Sequence, residues 1–592
     1  MLAWPYWSRS FSLGSLLALV NAVPDISRIK ASSLATASER QQSLMDIFRE
    51  REELDGGREA LYNFPTSGSE GWLYSPPLDL NRGLGVPTLK DLTGRIVILH
   101  FWTFGCINCI NVAPELNELS DWYKSQNQPV TVVGVQSGKS NAEKKSESVA
   151  MSIKKLGINH PVYNDADMAM WKAYGISMWP TYVIISPNGK KLALLSGEDQ
   201  VGAVKEIVDA ALNFYEKRKE LDRYTPAILR SMESLRKNEG SLLLCPSAAV
   251  VDDVSGRIFV SDTGNNRILI LDNSGKIVDT IGGPGPGLKD GTFEACKLSR
   301  PNGMAFKPSV GKLPSCLYIC DTGSHALRMA NLENRTLVTI TGNGRRVYDL
   351  QDGKYVESLN SPWDVSMVVE HEIEYLYVTM AGLHQIWRFD CSKSEWNKFS
   401  GTGEEVNMNS RNSEKTGWAQ PASISPVSAT GDDELQWLAV ADSESNSIRM
   451  LNLRDRCSIR LVGGDPFFAN NLFLSGDRDF ISTGIPVLDK VLSIVPGMRP
   501  LLQHPMGVIQ SKRTPEILYV ADTYNNKIKS FNLQSLEMKT VLGHEDILNH
   551  PTAMTFLPGS YSKLLIADSH CDLKLFDIET HEVSSFEIWE GR

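Results

Sequence analysis

Six times between residue 240 and the C-terminus the chain repeats one short pattern: an apolar strand, an aspartate opening a polar turn, and a second strand. The copies read IFVSDTGNNRILIL around Asp262, LYICDTGSHALRMA around Asp321, LYVTMAGLHQIWRF around Met380, LAVADSESNSIRML around Asp442, LYVADTYNNKIKSF around Asp522 and LLIADSHCDLKLF around Asp568. They are spaced 59, 59, 62, 80 and 46 residues apart. Strands opening at Pro301, Pro362, Pro421, Pro505 and Pro551 come before the copies, and outer strands ending at Gly282, Gly342, Gly401, Gly463 and Gly543 come after them. That makes four strands per unit and six units. One such unit exposes both faces and has no core of its own, whereas six placed radially bury each face on a neighbour. The repeat therefore predicts an all-β six-bladed β-propeller over 243–588. The aspartate is read as an acceptor for turn N–H groups. Met380 breaks the pattern, so the third blade must close its hairpin differently.

The first 240 residues follow another rule. Ile96–Trp102 and Val130–Gln136 are apolar, β-branched runs, which predict buried strands. Helical patterns follow at 106–124, 141–156, 167–174 and 199–217, and strands at 181–186 and 192–195 flank the turn Pro187-Asn188-Gly189-Lys190. Alternation of strand and helix with a terminal hairpin is an α/β layer sheet. Ser38–Leu54 reads as a capped helix with apolar residues at Leu44, Ile47, Phe48 and Leu54. The expected organisation is a leader (1–37), a helical and loop extension (38–80), the α/β domain (81–217), a charged linker (218–242) and the propeller. Within the leader, Phe11–Val23 is a largely apolar run of 13 residues, too short to span a bilayer as a helix. It fits a signal-peptide core with Val20-Asn21-Ala22 as cleavage site, or a leader without such a role.

The net charge of −10, from 60 basic and 70 acidic residues, argues against wide nucleic-acid binding, which needs a basic face. Nine cysteines, an odd number with one tight pair, do not form a disulfide scaffold and point to a reducing compartment, hence the cytoplasm. A secretory or organellar home is the alternative if Phe11–Val23 targets the chain. Cys316 and Cys320 share a strand face about 13 Å apart, too far for a disulfide. Cys245, Cys296, Cys391, Cys457 and Cys571 read as single thiols. Asp477 and Asp479 resemble a fragment of a calcium loop without its remaining ligands. No cofactor, metal site or membrane span is expected, and the chain is read as a monomer.

The chemistry is placed at Cys106-Ile107-Asn108-Cys109, after a buried strand and at the start of a helix. Backbone N–H groups and the helix dipole favour a thiolate there, and the second cysteine lies one turn on. The reading is a redox dithiol, with Cys106 the exposed nucleophile and Cys109 the buried resolving thiol. A zinc site would need two more ligands than one CxxC supplies, and a vestigial pair without turnover is the other alternative. Pro114 lies inside the helix and would kink it. In Trp179-Pro180-Thr181 a cis Pro180 would bring backbone beside the cysteines. Trp102, Phe104 and Trp179 give the site apolar walls.

HFWTFGCINCINVAPELNEL followed by SMWPTYVIISPNGK resembles the thioredoxin-like superfamily, and the additional helix at 141–156 resembles its TlpA-like branch. The propeller repeats resemble NHL repeats, and the pairing of the two resembles a family of NHL repeat-containing proteins found in animals and plants. Ser361-Pro362-Trp363-Asp364, Gly417-Trp418-Ala419-Gln420-Pro421, Val440-Ala441-Asp442-Ser443-Glu444-Ser445 and Leu461-Val462-Gly463-Gly464 add to the match. The resemblance implies a cytosolic protein and a β-rich domain beyond the propeller that this chain is expected to lack. Three departures stand out. His100 occupies the position of the acidic residue that assists proton transfer in thioredoxins, and is either a buried proton acceptor or plain core. Gly105 and Asn108 replace other residues of the motif loop. Two functions are expected: a thiol–disulfide oxidoreductase with the propeller as platform for protein partners, or a non-catalytic adaptor whose two domains both bind proteins.

Overall fold

The computed structural model describes residues 37–54, 92–223 and 242–590, apart from 312, 349, 351, 353–355, 429–434, 465–475, 484, 486–499, 544–546 and 570–571. The leader with Phe11–Val23, most of the 38–80 extension, most of the linker and Cys571 lie outside the described residues. The chain divides into two compact units, with the boundary between residues 239 and 240.

The first unit is a five-stranded sheet of order β3-β2-β1-β4-β5, built from β1 (Ile96–Trp102), β2 (Val130–Gln136), β3 (Val162–Asn164), β4 (Thr181–Ile185) and β5 (Lys191–Ser196). β1 runs parallel to β2 and antiparallel to β4. Every side chain of β1 and β2 is buried, because helices cover both faces and leave no position where a polar residue would meet water. One face packs Ile96 and Ile98 against Val112 and Leu116 of α2 (Ile107–Ser125), and the other packs Val97, Leu99 and Phe101 against Met170 and Tyr174. The N-terminal helix α1 (Ala37–Leu54) joins the first face through Leu44 and Phe48, with Phe48 edge-on to Phe214 at 5.9 Å. The expected 141–156 helix is two helices, α3 (Asn141–Lys144) and α4 (Ser146–Leu156), because Lys145 takes an extended conformation (φ −71°, ψ 127°). β3, three residues long, was not expected; a run that short carries no period of its own. Two helices complete the layer: the short α5 (Ala169–Tyr174), and the 18-residue α6 (Val201–Arg218) after a 3₁₀ turn at Glu198–Gln200.

The second unit is the six-bladed propeller that the repeat implied. Each blade has four antiparallel strands, beginning at Ala248, Pro301, Pro362, Pro421, Gly507 and Pro551. Blade 2 gains an edge strand at Gly291–Thr292, and Trp589–Glu590 adds parallel to the outer strand of blade 1. The ring is thus tied by chain just past the expected limit of 588.

The repeated aspartates are ion pairs rather than turn acceptors alone. Asp262 meets Arg267 at 2.8 Å, Asp321 meets Arg328 at 2.8 Å, Asp442 meets Arg449 at 3.0 Å and Asp522 meets Lys529 at 3.4 Å. They also accept backbone N–H groups of the segment entering their own blade, such as Leu244, Ser299 and Gln503. In blade 3 both partners change together: Met380 replaces the acid and Trp387 the base, and both are fully buried. The hairpin still closes through the same 3₁₀ turn, Ala381–Leu383. Losing the pair as a unit leaves no uncompensated buried charge, which is the costly case. Asp477 and Asp479 belong to this scheme. Asp477 contacts Lys527 and Lys529, and Asp479 contacts Lys529 and the Thr540 hydroxyl, so they neutralise lysines rather than form a calcium loop.

A second repeated device joins neighbouring blades. The residue ending the hairpin 3₁₀ turn of blades 1 to 5 is left-handed, and its side chain reaches the next blade. Asn266 accepts from the Arg300 N–H (2.9 Å), His325 from Ser361 (3.1 Å), Asn446 from His504 (2.8 Å) and Asn526 from His550 (2.9 Å). Asn tolerates positive φ better than most residues, which suits it to this post.

Candidate functional site

β1 ends at Trp102, and the chain turns through Thr103-Phe104-Gly105 into α2, with Cys106 as its N-cap residue (φ −85°, ψ 116°). No side chain caps this helix end, and the Cys106 carbonyl accepts from the N–H groups of Cys109 (3.1 Å) and Ile110 (3.0 Å). Cys109 is one turn along and fully buried. Both cysteines are free thiols. The expectation of an exposed nucleophile needs correction: Cys106 is 8 % exposed, because it packs with Trp102, Val149 and Ile153, with Phe104 and Trp179 against the same cluster. The order of exposure, Cys106 above Cys109, is the one expected.

Burial pushes the Cys109 thiol well above its usual range, its hydrogen bond to Cys106 and the charge of that group add to the rise, and the Thr103 backbone N–H and Lys139 oppose it. Lys139 also stands over the Trp179 ring at 5.2 Å. The Trp179–Pro180 bond is cis. Pro180 is buried, Trp179 half-buried and Met178 half-exposed, at 50 %. The Trp179 indole donates to the Ser137 carbonyl (3.0 Å) and lies against Trp171 at 4.1 Å. Pro114 is not part of this group: it lies on the exposed side of α2, which continues through it to Ser125.

Glu143 belongs to the site's support and escaped the sequence reading. It is 1 % exposed and accepts from the Thr103 hydroxyl (2.8 Å), the Lys139 N–H (2.7 Å) and the Ser140 N–H (2.9 Å). With Ser140 it makes a capping box, whose signal Ser140-Asn141-Ala142-Glu143 is visible in the sequence. Among the described residues no group of three or more His, Cys, Asp or Glu side chains is placed to hold a metal ion.

His100 lies on β1, two residues before Trp102 and on the same face. Its ring stacks on Tyr182 at 5.2 Å and on Trp102 at 6.3 Å. It is 3 % exposed, and burial, reinforced by His160, holds its pKa well below the imidazole range. His160, just before β3, is 1 % exposed and pulled down to about 3 by burial and by Lys124. Because the folded pKa values lie below the unfolded one, the unfolded chain binds these protons first. The unit should lose roughly 1.4 kcal/mol per histidine for each pH unit below about 6.5. Hydrogen exchange of β1 and β2 in the intact chain between pH 7.5 and 5 reads this loss, and His160→Leu should remove part of it.

Among the described residues no helix is long and apolar enough to cross a membrane. A family profile described as Thioredoxin-like matches residues 94–191. The chain is 34 % identical over 546 residues to NHL repeat-containing protein 2 of Homo sapiens, covering 86 % of this chain and 70 % of that protein. It is 38 % identical over 476 residues to Protein SUPPRESSOR OF QUENCHING 1, chloroplastic, of Arabidopsis thaliana, covering 80 % of this chain and 41 % of the plant protein. Over 109 residues it is 34 % identical to Thiol-disulfide oxidoreductase ResA of Bacillus subtilis, which accounts for 18 % of this chain and 57 % of the bacterial protein. The chain therefore spans less than half the length of the plant relative.

Proposed function

This chain belongs to the family of NHL repeat-containing protein 2, and from that premise we propose that it is a thiol–disulfide oxidoreductase acting through Cys106 and Cys109, with the propeller as the platform that holds a protein partner. The observation that carries the reading is the placement of Cys106 at an uncapped helix start with the Cys109 thiol hydrogen-bonded to it. The name of the bacterial relative supports it. In the reductive direction the Cys106 sulfur attacks one sulfur of a partner disulfide, and the departing partner sulfur takes a proton. First-turn N–H groups and the dipole of α2 meet the negative charge at Cys106 before attack. Cys109 then gives up its proton and attacks the Cys106 sulfur, closing the intramolecular disulfide and releasing the partner's second thiol. Pro180, Trp179 and Met178 form the wall along which the partner chain lies, and His100 stacks on Trp102 as a neutral imidazole. In the oxidative direction the same bonds form and break in reverse.

Replacing Cys109 by serine removes the second step and should leave partners held as mixed disulfides on Cys106. These adducts should separate on non-reducing gels and vanish in Cys106→Ser/Cys109→Ser. A second reading, an adaptor without turnover, is favoured by the 8 % exposure of Cys106. Equal recovery of partners from both variants, with no thiol-sensitive adduct, would establish that reading in place of the first. Our reading places the protein in the cytoplasm. An organellar home is the alternative that the plant relative's name suggests, and a fluorescent fusion decides between them.

A further inference from the structure

The propeller encloses a cavity of about 280 Å³, lined by residues from the first strand of all six blades. Met304, Phe306, Val365, Met367, Val508 and Met554 give it apolar walls, and Ser366, Ser425 and Thr555 bring hydroxyls. Among the described residues Asp364 is its one charged lining group. Asp364 pairs in register with Thr379, the residue before Met380. At the same register the first strands of blades 1, 4, 5 and 6 carry Ala248, Ser423, Gly507 and Ala553. The carboxylate is held across three blades. It accepts from the N–H groups of Val365 (2.9 Å) and of Ile424 in blade 4 (3.0 Å), and a Cβ on Gly303 of blade 2 would collide with its Oδ1. Burial pushes it up to about 6, opposed by those two N–H groups and the Ser423 hydroxyl, with no cation among the groups that face it. Its surface is half-buried and open to the cavity. Four turn aspartates are treated differently. Asp262, Asp321, Asp442 and Asp522 each have an Arg or Lys nitrogen within 3.4 Å. Burying a charge is costly unless a counter-charge meets it. Blade 3 lacks the turn pair and carries instead, on its first strand, an acid whose counter-charge the chain does not supply among its described residues.

Going beyond the thiol chemistry and independent of it, we propose that this cavity binds a small organic cation, a primary ammonium group on an apolar body, with the ammonium on Asp364 and the body between the methionines. The charge of the ligand offsets the buried carboxylate. Its three N–H donors match one carboxylate and nearby hydroxyls, and a hydrogen bond between two charged groups is the strong kind. The volume stands just below the usual range of about 300–1,000 Å³ for small-molecule sites, so the ligand is small. A calcium or magnesium ion is the poorer match. Such ions take six or more oxygens, whereas this cavity has one carboxylate and walls of thioether and alkyl groups.

The test titrates the full chain at pH 7.5 with three probes of one shape: benzylammonium, benzyl alcohol and benzoate. Calorimetry should find benzylammonium bound about tenfold or more tighter than benzyl alcohol, the scale of one hydrogen bond to a charged group, and benzoate not bound. In Asp364→Asn, which keeps the shape of the side chain, the preference for the ammonium over the alcohol should vanish. Met554→Trp, which fills part of the cavity, should weaken both probes while Asp364 stays in place. The probe series on the natural chain decides the matter where a variant does not fold. Equal binding of ammonium and alcohol, no binding of either, or a preference that persists in folded Asp364→Asn overturns the proposal. Displacement of benzylammonium by calcium or magnesium chloride, at an ionic strength where sodium chloride leaves it bound, overturns it in favour of a metal site.

Discussion

Asp442→Ala is expected to cost the propeller about 3–5 kcal/mol, the range for removing one partner of a buried ion pair. Arg449 and Asp442 are both fully buried. The guanidinium also donates to the carbonyls of Gly417 (2.5 Å) and Met408 (2.7 Å) and lies 4.1 Å above the Trp418 ring. Those contacts hold Arg449 where it is, so it cannot swing to solvent once the carboxylate is gone. The same carboxylate accepts from the N–H groups of Ala419 and Gln420 and from the Ser445 hydroxyl, and each would be left unsatisfied at a further cost. Blade 3 shows how this position tolerates loss of charge: Met380 and Trp387 fill the space as a pair. Asp442→Met with Arg449→Met should therefore recover a large part of the loss, whereas Arg449→Met alone should not. Urea unfolding of the full chain, followed by hydrogen exchange in blade 4, measures all three. Equal stability of Asp442→Ala and the natural chain would mean that the ring is held by apolar packing alone.

The parts of this molecule that were legible in its sequence are those written in local pattern. Six strand–turn–strand copies, five of them with the aspartate, specify six blades because strand alternation and turn residues are properties of neighbouring positions. The dithiol was legible for the same reason, as a strand running into a helix. The cations of the blades were not. Arg328, Arg449 and Lys529 each stand seven residues after their aspartate, a spacing that can be read, but Arg267 stands five after Asp262 and blade 3 has none. Only the folded hairpins show that these side chains converge on one point. His160 was illegible in a deeper sense. It meets His100 because two strands run parallel and Gly134 between them lacks a side chain, a coincidence of three segments about 30 residues apart. The burial of Cys106 was not legible either, because helix position says what a sulfur's backbone offers and nothing about the indoles folded over it.

Iodoacetamide at pH 7 is expected to label Cys106 clearly faster than Cys109, since burial and the neighbouring sulfur hold the Cys109 proton. Two observations set the direction. Cys109 is fully buried while Cys106 keeps 8 % of its surface. The Cys109 thiol is raised well above its usual range by burial first, then by its hydrogen bond to Cys106 and by the charge there. The background is favourable: burial pushes Cys391 and Cys457 up to about 11, and raises Cys296, Cys316 and Cys320 as well. Mass spectrometry of partly labelled chain should then find Cys106 modified first at every pH from 6 to 8. The sign for Cys109 follows from its causes. In Cys106→Ser the neighbour carries no negative charge, so the rise due to that charge disappears while the rise due to burial stays. Cys109 should label faster than in the natural chain, yet still well behind Cys106 there. Labelling of Cys109 at the same rate in both chains would show that burial alone holds its proton, and that the two sulfurs do not act as a coupled pair. Labelling of Cys109 ahead of Cys106 in the natural chain would reverse their assigned roles, with the attacking sulfur one turn inside α2 and the helix start reduced to a packing position.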